Sequence, residues 1–194
     1  PYTSNHSSRV AALGVRIGRQ LGITNEEEVR DLQMAGLLHD IGKLGIPRDL
    51  LHKTTKLHRR EYQTLQAHPV VGARILEKIP RLGSIALAVL HHHEWHDGNG
   101  YPHGLAGDAI PLISRILSVA DAFDAMTSER PYRKALSTAE AIKRIRQGSG
   151  TQFNPVVVEA FLKSFGDSAP TDLDLLLDTG DSVAERALAA VLAE

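Results

Sequence analysis

Seven side chains along this chain combine a metal-ligating type with an apolar setting: His6, His39, Asp40, His68, His92, His93 and Asp121. Each interrupts or borders an apolar stretch, where an unpaired charge is expensive to bury. His39 and Asp40 stand in LLHDIGKLGIP, residues 37–47, in which Leu37, Leu38, Ile41, Leu44 and Ile46 read as core. His92 and His93 close the apolar segment that starts at Leu82, and Asp121 sits inside ILSVADAFDAM. A lone histidine such as His68 is more often a capping or surface residue than a ligand. The joint occurrence of these groups at the ends of apolar segments is what a shared metal centre accounts for.

Imidazoles mixed with carboxylates suit Fe, Mn, Zn or Ni better than Ca or Mg. Five or more ligands exceed the need of one tetrahedral ion. Two ions about 3.5–4 Å apart, bridged by a carboxylate, fit the inventory. Two divalent ions outweigh the charge of Asp40 and Asp121, so the centre would attract phosphate, and a bridging water would lose a proton easily and could attack phosphorus. Lys43 follows His39 by four residues, on the same face if the helix continues. As an ammonium it is no ligand, but it could touch a phosphate oxygen and stabilise the charge that develops there. The assembly points to phosphate-ester hydrolysis. His91 reads as a supporting or structural residue, and His52, His58, His96 and His103 read as solvated.

The elements that must position these groups are predicted to be almost entirely helical. Val10, Leu13, Ile17 and Leu21 form a stripe at helical spacing, with Gly22 as its stop. Thr24 with Glu27 reads as a capping box opening a helix through Val29, Leu32, Leu37 and Leu38 into the HD segment. Residues 45–56 read as a loop broken by Pro47, followed by a helix from His58 to Ala67. Pro69 suits the first turn of the next. Residues 94–110 read as a glycine-rich loop, and Pro111 starts a long apolar helix through Ser128. Ser137 with Glu140, and Asn154 with Pro155, cap two further helices. Val156 to Val158 is the strongest strand competitor and is too short to prevail. The fold class is therefore all-α, a compact multi-helix bundle with the metal site in its core.

At 194 residues the chain can bury a sizeable core in one domain. Residues 1–167 are assigned to it, and residues 168–194 to an acidic, amphipathic C-terminal extension that docks on or trails it. Net charge is −1 and there is no cysteine, so neither a broad DNA-binding field nor a disulfide framework is expected. No apolar run is long enough for a membrane span and no signal peptide is visible, which fits a cytoplasmic protein. The start at Pro1, without methionine, reads as a piece of a longer polypeptide.

HDIGK at 39–43 and HHEWHDGNGYP at 92–102 resemble the HD-GYP domain, a branch of the HD phosphohydrolase superfamily. HSSRV at 6–10, HPVVG at 68–72, RILSVADAFDAMTSERPYR at 115–133 and GTQFNPVVVEAF at 150–161 extend the match over residues 2–165. The resemblance implies an all-helical phosphodiesterase that hydrolyses cyclic di-GMP, a bacterial second messenger, to pGpG, GMP or both. It places metal ligands on His6, His39, Asp40, His68, His92, His93 and Asp121, with Asp40 bridging. It places a phosphate contact on Lys43, a basic substrate clamp on Arg130 and Arg133, and the GYP loop on Gly98, Asn99, Gly100, Tyr101 and Pro102. Two divalent transition-metal ions are the expected cofactor, Fe or Mn first, with Zn, Ni or Co as alternatives. The expected partners are the cyclic dinucleotide, bound also through Gly100 and Tyr101, a diguanylate cyclase (GGDEF) domain at the GYP loop, an N-terminal sensor or receiver domain, and a second copy in a homodimer.

Glycines at 98 and 100 are expected to allow positive φ and close approach to a ligand. The sequence departs from the family pattern in two places. Tyr2 stands where some members carry a glutamate that helps hold a third metal, so a two-metal site is expected, with His6 retained. TTKLH at 54–58 replaces a Pro-Gly and helix-cap pattern, which bears on loop rigidity more than on chemistry. Two other functions compete: an enzyme preferring another cyclic dinucleotide such as cyclic GMP-AMP, and a low-turnover sensor or docking module.

Overall fold

The computed structural model describes residues 2–129 and 134–165, with side chains at the N-terminus from Asn5 onward. The expectations for Arg130, Arg133, the Tyr2 side chain and the extension at 168–194 fall outside what is described. Among the described residues the architecture is all-α, and the only β pairing is two isolated bridges, Asp97 with Ala106 and Ser149 with Phe153.

Helix α1 (Tyr2–Gln20) buries Val10, Leu13 and Ile17, and Gly22 ends it at a φ of 86°. Helix α2 (Glu26–Leu38) begins one residue later than the expected capping box. Asn25, rather than Thr24, caps it, its Oδ1 accepting from the N–H groups of Glu27 and Glu28 at 2.8 and 3.3 Å. An amide oxygen with a short reach caps as well as a hydroxyl. The three glutamates of its first turn complement the helix dipole.

The helix does not continue to Lys43. It ends at Leu38, and a 3-10 turn spans Ile41–Gly45. This turn overturns part of the core assignment, because it swings Leu44 into solvent at 79% exposure while Ile46 stays buried. Gly42 lies so closely against the start of the helix that His68 opens that a Cβ there would stand 1.9 Å from the His68 carbonyl oxygen.

Within the loop expected at 45–56 a short helix forms, α3 (Arg48–Leu51). Helix α4 (Arg59–Gln66) follows, its start held by Glu61, which accepts from the His58 N–H at 2.8 Å and takes the Lys53 ammonium at 2.7 Å. Those contacts tie down the unusual 54–58 segment. Helix α5 (His68–Leu76) has Pro69 in its first turn, and α6 (Gly83–Leu90) stops short of the histidine triplet. Pro111 precedes α7 (Leu112–Thr127). Ser137 and Asn154 cap α8 (Thr138–Gln147) and α9 (Pro155–Ser164) as the sequence predicts, so the Val156–Val158 run is helical.

Helix α7 runs through the centre with Ile116, Leu117, Val119, Ala120 and Phe123 all but fully buried. It packs on α1, α6, α8 and α9, while α2 joins α1 to α6, and α5 lies against α6 and the 3-10 turn. Each large aliphatic or aromatic side chain removed from water in this way contributes about 1.5–3 kcal/mol. The result is a rigid apolar frame whose helix ends converge on one point.

Candidate metal centre

That point is where the seven sequence-predicted ligands meet. His39 follows α2, His68 follows α4 and opens α5, and His92 follows α6. Each uses the same local device. Its Nδ1 donates to the carbonyl three residues back: Gly36 at 2.8 Å, Leu65 at 2.7 Å and Val89 at 2.6 Å. These are carbonyls that a helix leaves unpaired in its last turn. The bond fixes each ring's tautomer and turns Nε2, with its lone pair, inward.

The inward atoms form two triads. His6, His39 and Asp121 make one and His68, His92 and His93 the other, the donor atoms of each lying within 4.8 Å of one another. Asp40 stands between them. Its Oδ2 is 3.5 Å from His39 Nε2 and 3.9 Å from His6 Nε2, and its Oδ1 is 3.4 Å from His68 Nε2. One carboxylate thus offers one oxygen to each triad. His6 Nε2 is also 3.4 Å from Asp121 Oδ1. His92 joins the halves, its ring centroid 5.4 Å from that of His39, while its Nε2 lies 3.4 Å from that of His68 within its own triad.

The residues fit a pair of divalent ions. His39 is 1% exposed, and its Nε2 is a buried polar atom with no hydrogen-bond partner. An orphaned imidazole nitrogen facing two carboxylates is costly unless a cation completes it. Burial holds His68 and His92 below the ordinary histidine range and lowers His93 to about 4, so these rings offer lone pairs at neutral pH. Burial opposes the charge of Asp40, yet His39 and Lys43 beside it keep its carboxyl below the usual carboxylate range. Asp121 is likewise held low against burial, chiefly by His6 and His39. Burial also opposes charge on His6, but Asp121 and Asp124 raise it to about 9. Positive charge is what this cluster of carboxylates attracts.

Lys43 is not stacked on the His39 face of a continuing helix. The 3-10 turn sets its Nζ 2.5 Å from Asp40 Oδ2, with the side chain 43% exposed at the mouth of the centre. Tyr101 is half-buried and stacks on His93 with ring centroids 4.9 Å apart. Its burial pushes the phenol's pKa up, so it stays neutral. In the GYP loop, Gly98 takes a φ of 84°, as expected. Gly100 does not need positive φ. A Cβ there would lie 2.2 Å from the Trp95 nitrogen, so it serves close packing of backbone on backbone. Asn99 is exposed, its N–H donating to Asp97 Oδ1 at 3.0 Å, and the Tyr101–Pro102 bond is cis.

Three supporting residues escape the sequence reading. Asp124 is buried, binds His6 Nδ1 at 2.6 Å and receives Arg9. Arg9 also donates to the Ser128 hydroxyl at 2.8 Å. Glu94 is buried and accepts from the His103 and Leu105 N–H groups at 2.7 and 3.1 Å, closing the glycine-rich loop. The available signal for Asp124 was its place one helical turn beyond Asp121.

Fold and site together define a helical domain with a histidine–aspartate centre at its converging helix ends. A model of the HD domain family matches residues 1–157, and the chain belongs to that family. It is 44% identical to the cyclic di-GMP phosphodiesterase PA4108 of Pseudomonas aeruginosa, over 85% of this chain and 40% of that protein. It is 43% identical to a cyclic di-GMP phosphodiesterase of Thermotoga maritima, over 83% and 44%. It is 41% identical to the 3'3'-cGAMP-specific phosphodiesterase 3 of Vibrio cholerae, over 84% and 35%. The chain thus spans less than half the length of these relatives. Among solved structures, the fold resembles a cyclic GMP-AMP specific phosphodiesterase of V. cholerae, with a TM-score of 0.68 at 24% identity, over 94% of this chain and 48% of that one. It also resembles Bd1817, an HDG"Y"P protein from Bdellovibrio bacteriovorus, with a TM-score of 0.66 at 22% identity, over 82% and 51%.

Proposed function

We propose that this chain is a metal-dependent phosphodiesterase that hydrolyses cyclic di-GMP to pGpG, GMP or both. The observation that carries the reading is Asp40, whose two oxygens face two separate donor triads. His6, His39 and Asp121 would hold one ion, His68, His92 and His93 the other, and Asp40 would bridge. Iron or manganese is the first choice, as the family resemblance implies, and the imidazole and carboxylate donor set also suits zinc or nickel. Bound there, the ions would supply Lewis acidity toward the phosphoryl oxygens and acidify a water toward neutral pH.

The protein's own groups do the rest. The carbonyl-anchored imidazoles keep the donors in place without reorganisation during the reaction. The Lys43 ammonium, at the exposed side of Asp40, receives a phosphate oxygen and stabilises charge that grows as the P–O bond breaks. Tyr101, packed on His93, forms a neutral wall beside the reacting phosphate. The relatives named as cyclic di-GMP phosphodiesterases support this substrate.

The test is turnover by protein loaded anaerobically with iron or manganese. Cyclic di-GMP consumed with linear product released supports the proposal, and a loaded, folded protein that leaves it intact overturns it. One observation favours a second substrate: a similarly close relative is named as specific for 3'3'-cGAMP. A higher kcat/KM for that dinucleotide in the same assay would select it instead.

A further inference from the structure

A third group of metal-ligating side chains lies outside the centre. His91, Glu94 and His103 each place one donor atom within 4.8 Å of the other two, the same mutual reach as in the two buried triads. His91 Nδ1 is 3.4 Å from Glu94 Oε1, and the His91 and His103 rings lie 5.2 Å apart between centroids. Tetrahedral zinc, with Zn–N and Zn–O near 2.0–2.2 Å, sets its donors about 3.3–3.5 Å apart. The His91–Glu94 pair already has that spacing. His103 is exposed, so it is the ligand free to close the remaining gap.

The pair is also held in place. Glu94 is 2% exposed, and the His103 and Leu105 N–H groups fix both of its oxygens. An ionised carboxylate has about four lone-pair sites, so these two bonds leave it able to bind a cation. Two imidazoles and a carboxylate, with a fourth position open to water, is a zinc donor set.

We propose that His91, Glu94 and His103 form a third metal-binding site, of zinc type, at the base of the glycine-rich loop. Glu94 and His91 lie before the Tyr101–Pro102 turn and His103 after it, so an ion here clasps the two ends of the loop that carries Tyr101. The site uses none of the centre's ligands, and the proposal stands whether or not the chain is a phosphodiesterase.

The experiment counts zinc. The 194-residue chain is stripped by chelation and titrated with zinc against a chromophoric chelator, alongside His103→Ala and His103→Cys. Wild type is expected to bind one more tight zinc ion than His103→Ala, and His103→Cys, which keeps a zinc ligand, is expected to regain it. Because His103 is exposed, its replacement leaves the fold in place, which circular dichroism checks. Asp40→Ala gives a second arm: adding His103→Ala to it is expected to remove one zinc ion. Equal zinc counts for wild type and His103→Ala overturn the proposal.

Discussion

His6 reaches two aspartates with its two nitrogens: Nδ1 lies 2.6 Å from Asp124 Oδ2, and Nε2 lies 3.4 Å from Asp121 Oδ1. Its Nδ1 therefore rests on a side chain, where the other anchored histidines rest on backbone carbonyls. A carboxylate behind an imidazole raises the ring's basicity and fixes its orientation. Asp124 is itself held by Arg9, so the arrangement is a chain from guanidinium to carboxylate to imidazole. Asp124→Asn keeps the shape and removes the charge. It is expected to weaken metal binding about 10- to 100-fold, measured by competition with a chelator, while Asp124→Glu restores part of it. Unchanged affinity in Asp124→Asn would place His6 outside the metal site.

Asp40 and Lys43 should separate in their effects. Asp40→Ala removes the carboxylate between the triads, so it is expected to lower metal content and abolish turnover together. Lys43→Ala removes charge stabilisation and leaves every donor in place. Turnover is expected to fall about 10²- to 10³-fold, with metal content unchanged by elemental analysis. Metal loss in Lys43→Ala would mean that its ion pair with Asp40 is what holds the bridge.

Gly42 couples the fold to the site. Its missing side chain lets the 3-10 turn lie against the start of α5, where an added Cβ would meet the His68 carbonyl oxygen at 1.9 Å and the Gly72 nitrogen at 2.5 Å. Backbone cannot move aside as a flexible side chain can. Gly42→Ala is expected to cost about 1–3 kcal/mol or more, seen in urea unfolding of the metal-free chain. It should also weaken metal binding, because His68 shifts away from Asp40.

The sequence made most of this centre legible, and particular residues explain why. His39, His68, His92 and Asp121 stand out because polar groups in apolar segments need a partner, and helical periodicity places the three histidines at helix ends and Asp121 inside a helix. The route of the chain between His39 and Lys43 was not legible. A continuing helix and a 3-10 turn share the same short sequence, and the choice depends on the packing of Gly42 against α5. Leu44 was misplaced into the core for the same reason. Asp124 was hidden because its place on the same apolar helix as Asp121 does not say which side chain it meets. Only the tertiary approach of α1 to α7 turns it toward His6.

Protonation gives the last prediction. In the metal-free protein the folded-state pKa of His93 is about 4 against an ordinary 6.5, chiefly through burial. The folded state therefore binds fewer protons than the unfolded state as pH falls, and stability is lost from pH 6.5 downward until about 4. His6 runs the other way. Despite burial, Asp121 and Asp124 raise it to about 9, so its stabilising charge is fully present below 6.5 and is lost as pH rises through 9. Each pH unit between folded and unfolded pKa corresponds to about 1.4 kcal/mol. The melting temperature of chelator-stripped protein is therefore expected to peak near pH 6.5 and fall on both sides. His6→Asn should flatten the alkaline limb and leave the acid limb in place. An alkaline limb unchanged in that variant would show that His6 does not carry the charge between Asp121 and Asp124.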